Sequence, residues 1–295
     1  MSELVFPNFL IAGAAKSGTT SLYHWLSQHP DVFMPENKEP SYFVDTYGFS
    51  DWNRYLRLFE HARGKKAVGE ASTPYMSAPE SPAWIHRILP DVKIIILLRN
   101  PIARAWSLYS WMVMEGYEWL STFERAVTEE DRRFADVTFR HSNPQYFWNY
   151  MYFRSGLYHD QVREYLRLFG PDRVRIYLFE DLVTCPRAVY VDACKFLDLD
   201  PAFEPALTVQ NVSKIPRSIG LQFRLRRLLR GVYSRRGPGA ALRRSTIAAV
   251  MAANVRRGRR YEMPAVIRGS LAARYRDDVQ RLGASIDRPC IHWVS

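Results

Sequence analysis

Residues 9–26 read FLIAGAAKSGTTSLYHWL, an apolar run followed by a glycine-bracketed loop and a segment with helical spacing. The run from Phe9 to Ala12 predicts a short strand, and Leu22, Trp25 and Leu26 recur at i, i+3 and i+4, which predicts a helix. A loop that leads from a strand into a helix offers unpaired backbone N–H groups and the positive end of the helix dipole to an anion. We therefore predict an anion-binding loop at a strand end.

The glycine spacing of this loop is that of a nucleotide-binding P-loop. Gly13 and Gly18 are separated by four residues, as in the motif G-x-x-x-x-G-K-[ST]. Thr19 occupies the position of the lysine in that motif, and the lysine of this loop is Lys16, inside it. This difference indicates a phosphate-binding loop that lacks the usual ATP or GTP chemistry. The alternative is an ordinary strand-turn-helix connection in which the glycines serve turn geometry.

The composition is that of a globular protein. The chain has 295 residues, of which 47% are hydrophobic, and we predict a single domain over residues 1–295. No stretch approaches the roughly 18 consecutive apolar residues of a membrane-spanning helix. The N-terminus has no basic segment before its apolar run, so we expect no signal peptide. Cys185, Cys194 and Cys290 form no C-x-x-C pair, which favours free thiols in a reducing, cytoplasmic setting over a Cys185–Cys194 disulfide.

Positive charge is concentrated in the last third of the chain. Residues 1–200 hold 22 Lys and Arg against 25 Asp and Glu, a net of −3, whereas residues 201–295 hold 19 against 5, a net of +14. Such an asymmetry indicates an anionic partner, such as peripheral contact with an anionic surface. The alternative is that these arginines only form solvated helix faces.

Strand and helix patterns alternate along the first two thirds of the chain. Residues 92–98 read VKIIILL, an isoleucine-rich run that is apolar except for Lys93 and is typical of a parallel strand buried on both faces. Residues 67–71 and 173–180 predict further strands, and residues 156–169 and 186–197 predict helices. Alternation of this kind is typical of a doubly wound α/β fold.

Beyond Pro205 the sequence shows no convincing strand. Residues 224–230 and 271–282 are helical by their periodicity. The predicted fold is therefore a P-loop-like, three-layer α/β fold with a central, mainly parallel sheet flanked by helices. Its C-terminal part, about residues 218–295, is predicted to be helical and rich in arginine.

A second strand-to-helix junction carries phosphate-binding residue types. Arg99 ends the strand over residues 92–98, and Arg104 and Ser107 follow one helical turn apart. A guanidinium at a strand end can bind a phosphate through two parallel hydrogen bonds. Two such junctions imply a ligand that is phosphorylated at two places. For Arg99 alone, a salt bridge at the strand end is the alternative.

The two junctions together resemble the sulfotransferases that use 3′-phosphoadenosine 5′-phosphosulfate (PAPS). The resemblance is carried by Lys16-Ser-Gly-Thr-Thr-Ser-Leu and by Arg99-Asn-Pro-x-x-Arg-Ala-x-Ser-x-Tyr, each after a predicted strand. Leu26-Ser-Gln-His-Pro-Asp-Val and Lys38-Glu-Pro-Ser-Tyr-Phe make the chain similar to the glycan or heparan-sulfate type and related bacterial members. The similarity runs from about residue 7 to residue 218.

The resemblance implies roles for individual residues. Lys16 would contact the phosphosulfate bridge and stabilise the leaving 5′-phosphate, Tyr158 would lie by the adenine, and Glu39 would be the general base. The remaining donor-binding residues implied by the resemblance are Ser17, Gly18, Thr19 and Thr20 at the 5′-phosphate, Arg99 and Ser107 at the 3′-phosphate, and Lys214 and Arg217 near the latter.

The assignment of the base has rivals within the sequence. An acceptor hydroxyl needs a base, and a carboxylate whose pKa is raised towards neutrality can serve. Glu39 lies in a proline-bounded loop close in sequence to the anion-binding loop. The rivals are Glu36, Glu70, His24 and His29. Many glycan-type relatives have a lysine where this chain has Ala71, so any role of that lysine is absent or supplied elsewhere.

The predicted function is transfer of a sulfuryl group from PAPS to a hydroxyl of a carbohydrate, lipid or small metabolite by in-line displacement, with adenosine 3′,5′-bisphosphate as product. We expect no metal, because the buried strand ends in Leu97-Leu98-Arg99 and not in a Mg²⁺-binding carboxylate, and no His/Cys cluster has zinc spacing. An aryl sulfate is an alternative donor.

Two other functions compete with this prediction. A P-loop nucleotide or small-molecule kinase is disfavoured by Thr19 and by the missing carboxylate. A non-catalytic anion- or nucleic-acid-binding protein is disfavoured because the basic C-terminal region has few interleaved aromatic residues and no nucleic-acid-binding motif, so we expect no nucleic-acid partner.

Overall fold

The computed structural model describes residues 5–45, 47–208, 215–233, 238–256 and 263–295. These residues form two compact units, which are described separately. The first unit comprises residues 1–104, 157–210 and 275–295, and the second comprises residues 105–156 and 211–274.

The first unit is built on a five-stranded parallel sheet. Its strands are β1 (Phe9–Gly13), β2 (Val32–Phe33), β3 (Ala67–Ala71), β4 (Lys93–Leu98) and β5 (Val174–Leu178). They lie in the order β2-β3-β1-β4-β5, and each neighbouring pair is parallel. The prediction of a mainly parallel α/β sheet is confirmed.

The helices follow in chain order. They are α1 (Thr19–Leu26), α2 (Trp52–Leu56), α3 (Pro74–Ser77), α4 (Ser81–Ile88), α5 (Pro101–Met114), α6 (Phe123–Thr128), α7 (Glu130–Ala135), α8 (Val137–Ser142), α9 (Tyr158–Phe169), α10 (Phe179–Thr184), α11 (Pro186–Phe196), α12 (Ile219–Tyr233), α13 (Pro238–Ala253) and α14 (Ala265–Ser285). Short 3₁₀ turns span Arg57–Phe59, Phe147–Tyr150, Arg154–Gly156, Pro171–Arg173 and Ile291–Trp293.

Helices cover both faces of the sheet in the first unit. Alternate strand residues, including Phe9, Ile11 and Ile95, join a buried cluster with side chains of α1 and α11. Helices α3 and α9 pack against strands of the sheet, α3 against β1 and α9 against β5. The predicted three-layer arrangement is therefore confirmed. Of the three cysteines, Cys185 is exposed and the other two are buried, and all three are free thiols.

The parallel direction of the strands places three loops at one edge of the sheet. β1 pairs with β3 on one side and with β4 on the other. Because all three strands run the same way, their carboxyl ends meet at the same edge, where ligands bind in open α/β sheets. The loops that begin after Gly13, Ala71 and Leu98 therefore leave the sheet next to one another.

The second unit is helical, as predicted for the C-terminal third. Its helix α12 includes the predicted segment 224–230, while the predicted segment 271–282 lies in α14, of which residues 275–285 belong to the first unit. The second unit contains a buried ion pair in which Arg133 donates to both oxygens of Glu118, at 2.7 and 2.9 Å. The expectation of no strand beyond Pro205 was wrong at one place, since β6 (Ile215–Pro216) pairs with β7 (Val255–Arg256). Two residues per strand are too few to show a periodicity.

We predict that Gly69→Ala destabilises the first unit. Gly69 on β3 faces Phe9 on β1, and a Cβ atom at this position would lie 2.4 Å from the Phe9 ring. Phe9 is fully buried, so the ring cannot move without disturbing its neighbours. Overpacking of this kind costs about 1–3 kcal/mol of the free energy of unfolding, measured by urea denaturation.

Gly269→Ala is the matched control. A Cβ at Gly269 on α14 would meet no atom within 4 Å. Alanine favours a helix over glycine by roughly 0.5–1 kcal/mol, so this variant should be as stable as the wild type or slightly more so. Equal stability of both variants would contradict the packing of Phe9 on Gly69.

Candidate active site

The loop between β1 and α1 depends on its two glycines. Gly13 has φ of 143°, and a Cβ there would lie 2.6 Å from Cβ of Met76. Gly18 has φ of 94°, and a Cβ there would lie 2.9 Å from Cδ2 of Leu182. Both positions therefore combine a left-handed backbone with close approach of a neighbour, which only glycine accommodates without strain.

The same loop presents donors that are suited to an anion. Helix α1 begins at Thr19 without a side-chain cap, so its first backbone N–H groups have no partner within the helix. The Ser17 Oγ is buried and, within the described part of the chain, has no hydrogen-bond partner. Lys16 has a left-handed backbone, with φ of 67°, at the tip of the loop. The arrangement fits a bound phosphate or sulfate oxygen.

The β4–α5 junction adjoins this loop. Arg99 Nη1 donates a hydrogen bond to the carbonyl oxygen of Lys16 at 3.1 Å, and the guanidinium lies over the Phe179 ring, 4.4 Å from its centroid. Asn100 orients the start of α5, since its Oδ1 accepts from the N–H groups of Ile102 and Ala103. The structure thus brings together the two residues, Lys16 and Arg99, that the sequence placed at separate anion sites.

Tyr158 supports Arg99 from the first turn of α9. Its hydroxyl donates to the carbonyl oxygen of Arg99 at 3.1 Å, and its side chain is fully buried. Burial raises the pKa of the phenol, while Arg104, the Ser17 hydroxyl and Arg99 act in the opposite direction. The phenol therefore stays protonated and acts as a donor.

Glu70 is a buried carboxylate at the end of β3. Only 1% of the residue is exposed. Its Oε1 accepts from the hydroxyls of Tyr75 at 2.6 Å and Tyr55 at 3.4 Å, and its Oε2 accepts from the hydroxyl of Ser72 at 2.8 Å. Burial, with a smaller contribution from the negative charge of Glu39, raises its pKa to about 7 against the opposing effect of these three hydrogen bonds.

Glu39 lies beside this buried group but remains accessible. Its side chain is 37% exposed, and its Oε1 accepts from Lys38 Nζ at 3.0 Å and from the Thr73 hydroxyl at 3.1 Å. Its backbone N–H donates to the carbonyl oxygen of Ala71, which attaches the Glu39 loop to the end of β3. The two carboxylates therefore form a pair of which one faces solvent.

The rival bases differ from this pair in their surroundings. Both ring nitrogens of His29 are engaged with backbone groups, one with the Asp200 carbonyl and the other with the Asp31 N–H. Glu36 is exposed in the loop, and His24 is half-buried on α1. His29 is therefore a structural residue.

Three residues that the resemblance implies at the donor site do not belong to the described part of the first unit. Ser107 is on the part of α5 that belongs to the second unit, and Arg217 is an exposed residue of that unit. Lys214 lies outside the described residues. Their roles at the 3′-phosphate stay predictions from the sequence.

Several neighbours of these groups were not expected from the sequence. They are Phe179 beneath Arg99, and the hydroxyl residues Tyr55, Ser72, Thr73 and Tyr75 around the carboxylates. The only signal was the hydroxyl-rich segment that follows Glu70, which reads ASTPY. Such a segment is also common in turns, so its role could not be read from its composition.

Among the described residues, no three His, Cys, Asp or Glu side chains come together as a metal-ion site. No helix within the same ranges is long and apolar enough to cross a membrane.

Comparison with known proteins adds independent information. The profile of the family described as "Sulfotransferase domain" matches residues 6–215. A solved sulfotransferase from Alicyclobacillus acidocaldarius is 31% identical and has a TM-score of 0.75, with 99% of this chain and 100% of that chain covered.

Curated relatives are similar over shorter stretches. The heparan sulfate glucosamine 3-O-sulfotransferase 6 of Homo sapiens is 30% identical over 61% of this chain and 49% of the relative. The membrane-associated sulfotransferase kil1 of Dictyostelium discoideum is 31% identical over 45% of this chain and 29% of the relative. The chain thus spans half or less of the length of these two relatives.

The family profile covers more than half of the chain and includes both the Lys16 loop and Arg99. The resemblance drawn from these two junctions is confirmed, and the chain belongs to the sulfotransferase family.

Proposed function

We propose that this protein transfers a sulfuryl group from PAPS to the hydroxyl of an acceptor. The observation that carries the proposal is the hydrogen bond from Arg99 to the Lys16 carbonyl oxygen, at the same sheet edge as the Glu39–Glu70 pair. An anion-binding loop, a guanidinium and a reachable carboxylate are the parts that in-line group transfer requires. Such transfer depends on placement and charge stabilisation more than on covalent help from the protein.

The residues of the Lys16 loop fit the phosphosulfate end of the donor. Ser17 supplies a buried hydroxyl that is free to donate, and the backbone N–H groups at the start of α1 surround the same place. Gly13 and Gly18 allow the loop to pack closely on its neighbours, because a side chain at Gly13 would collide with Met76 and one at Gly18 with Leu182. We propose that Lys16, Ser17, Gly18, Thr19 and Thr20 hold the 5′-phosphate. When bound, the donor supplies the sulfuryl group and leaves as adenosine 3′,5′-bisphosphate.

We further propose that Arg99 binds the 3′-phosphate. Its guanidinium lies over the Phe179 ring and donates to the Lys16 carbonyl oxygen, and the planar fork of donors of an arginine matches the geometry of a phosphate. Tyr158 donates a hydrogen bond to the backbone carbonyl of Arg99, and we propose that it belongs to the donor site. Positive side chains at this edge neutralise phosphate charge without the help of a metal ion.

Accessibility supports Glu39 over Glu70 as the general base. A base must come within hydrogen-bond reach of the hydroxyl that it deprotonates, so geometry is considered before pKa. Glu39 is 37% exposed in its side chain, whereas Glu70 is 1% exposed and surrounded by three hydroxyl donors. We propose that Glu39 is the base, although the pKa of Glu70, at about 7, would suit the task better.

The acceptor belongs to the broad class of carbohydrate, lipid or small-metabolite hydroxyls. The printed name of one relative, a heparan sulfate glucosamine 3-O-sulfotransferase, supports a glycan among these. Contact of the arginine-rich region with an anionic surface and a cytoplasmic location, which the three free thiols support, are further proposals. No observation favours a kinase.

Bisphosphate binding tests the donor site. We expect adenosine 3′,5′-bisphosphate to bind by calorimetric titration in EDTA, with no requirement for Mg²⁺. Lys16→Ala and Arg99→Ala should each weaken binding by about 10- to 100-fold, because each removes a charged hydrogen-bond donor. Lys195→Ala, which removes an exposed lysine at the end of α11, is the control and should bind as the wild type does. Binding of ATP–Mg²⁺ alone would overturn the proposal.

Turnover tests the base. We expect Glu39→Gln to lower kcat by about 10²- to 10⁴-fold, the usual contribution of a general base, while bisphosphate affinity stays within about twofold. Transfer is followed from ³⁵S-labelled PAPS to a panel that contains a heparosan oligosaccharide, a glycolipid and a phenol. Unchanged turnover in Glu39→Gln would move the role of base to another residue.

Stability as a function of pH tests the burial of Glu70. Its pKa is raised from 4.5 to about 7 in the folded protein, so the folded chain binds this proton more tightly than the unfolded chain. The stabilisation is present below about pH 4.5 and is lost as the pH rises to about 7 and above. The loss is on the order of 3 kcal/mol. Glu70→Gln should remove this part of the pH dependence in urea unfolding at pH 5 and pH 8.

Glu164→Gln is the control for this measurement, because the Glu164 carboxylate is paired with Arg167 on the surface and its pKa is lowered. It should retain the fall in stability between pH 5 and pH 8. If Glu70→Gln and the wild type show the same pH dependence, Glu70 is ionised at pH 5 and its surroundings are wetter than the structure indicates.

A further inference from the structure

Glu39 and Ser41 have a backbone conformation that side chains normally avoid. Their φ angles are 64° and 52°, in the left-handed region, although neither residue is glycine. Such conformations are unfavourable and persist only where the surrounding structure imposes them. Both residues belong to the loop that carries the proposed base. Contacts with neighbouring residues must therefore keep this loop in its left-handed conformation.

Two hydrogen bonds from the end of β3 hold it. The Glu39 N–H donates to the carbonyl oxygen of Ala71 at 3.0 Å, and the Ser41 N–H donates to the Oγ of Ser72 at 2.9 Å. Ser41 and Ser72 are fully buried, so water cannot replace the second bond. The first bond joins two backbone groups, whereas the second requires the Ser72 hydroxyl.

Glu70 determines the orientation of that hydroxyl. Ser72 Oγ donates its proton to Glu70 Oε2 at 2.8 Å, which turns the oxygen lone pairs towards the Ser41 N–H. The carboxylate is itself held by Tyr75 on α3 and Tyr55 on α2 through its other oxygen. A continuous chain of hydrogen bonds thus runs from Glu70 through Ser72 to the backbone of the Glu39 loop.

We propose that Glu70 is a positioning residue that, through the Ser72 hydroxyl, holds the Glu39 loop in its left-handed conformation and so places the Glu39 carboxylate for the transfer reaction. This inference rests on the proposed role of Glu39 as base. Glu70 itself cannot touch the acceptor, because it is buried beneath the loop that it holds. It acts on the orientation of Glu39, whose carboxylate also accepts a hydrogen bond from the Thr73 hydroxyl.

The test uses Ser72→Ala with Ser77→Ala as matched control. Both substitutions delete one serine hydroxyl from the segment after β3, but the Ser77 hydroxyl donates only to the Pro74 carbonyl oxygen within α3. Hydrogen–deuterium exchange of the Ser41 amide reports on the loop and needs no sulfate-accepting substrate. Ser72→Ala should accelerate this exchange by at least about tenfold, as expected for a buried amide that loses its acceptor, and Ser77→Ala should leave it unchanged.

The kinetic readout separates positioning from a purely structural role. With ³⁵S-labelled PAPS and the acceptor that the wild-type protein uses in the panel, Ser72→Ala should lower kcat by roughly 10- to 100-fold, since small misplacement of a reacting group costs this much. The KM for PAPS and the affinity for adenosine 3′,5′-bisphosphate should stay within about twofold of the wild type. Ser77→Ala should show wild-type kcat.

A double-variant comparison tests whether Glu70 and Ser72 act in one chain. Glu70→Gln keeps an acceptor for the tyrosines but places an amide against Ser72, so it should lower kcat less than Ser72→Ala does. If the two residues act in series, Glu70→Gln combined with Ser72→Ala loses no more turnover than Ser72→Ala alone.

Each contrary result has a distinct meaning. Unchanged Ser41 exchange or wild-type kcat in Ser72→Ala overturns the positioning role, even when Glu39→Gln is inactive. Multiplying losses in the double variant likewise show that Glu70 acts by another route. If the wild-type protein binds no bisphosphate and transfers no sulfate, the proposed function fails, and the exchange measurement alone then decides whether Ser72 holds the loop.

Discussion

The parallel pairing of β1 with β3 and β4 is the constraint on which the site depends. Parallel strands end at a common edge, so the loops after Gly13, Ala71 and Leu98 must leave the sheet side by side. One loop carries Lys16, the second brings the segment that anchors Glu39, and the third carries Arg99. None of these groups could meet if one strand were reversed. The buried apolar faces of the strands stabilise this arrangement on both sides.

The two units handle a buried carboxylate in different ways. In the second unit, Glu118 receives two hydrogen bonds from Arg133, so its charge is compensated by a fixed cation. In the first unit, Glu70 receives three hydrogen bonds from neutral hydroxyls. Neutral donors stabilise a carboxylate less than burial destabilises it, and the pKa of Glu70 therefore rises to about 7. The Glu118 charge is compensated by Arg133, which suits a structural ion pair. The protonation of Glu70 among neutral hydroxyls instead changes with pH near neutrality.

Much of the fold and half of the candidate site could be predicted from local sequence. The apolar run before Gly13 and the isoleucine-rich run before Arg99 are strands whose periodicity is visible without tertiary contacts. The loops after them carry Lys16 and Arg99, whose residue types indicate an anion. The surroundings of Glu70 could not be predicted in this way, because Tyr55 and Tyr75 contact it from separate helices. A hydroxyl that caps a turn and one that holds a carboxylate look alike in a sequence.

By itself, the sequence determined the succession of strands and helices, the anion-binding character of two loops and the family to which the chain belongs. These properties depend on residues that are close together along the chain, and their spacing records them. Only the tertiary structure decided that Arg99 contacts Lys16 across 83 residues and that Ser72 holds Ser41 across 31. It also decided which glutamate is buried and which is accessible. Burial and long-range hydrogen bonds arise from packing, which no local pattern specifies.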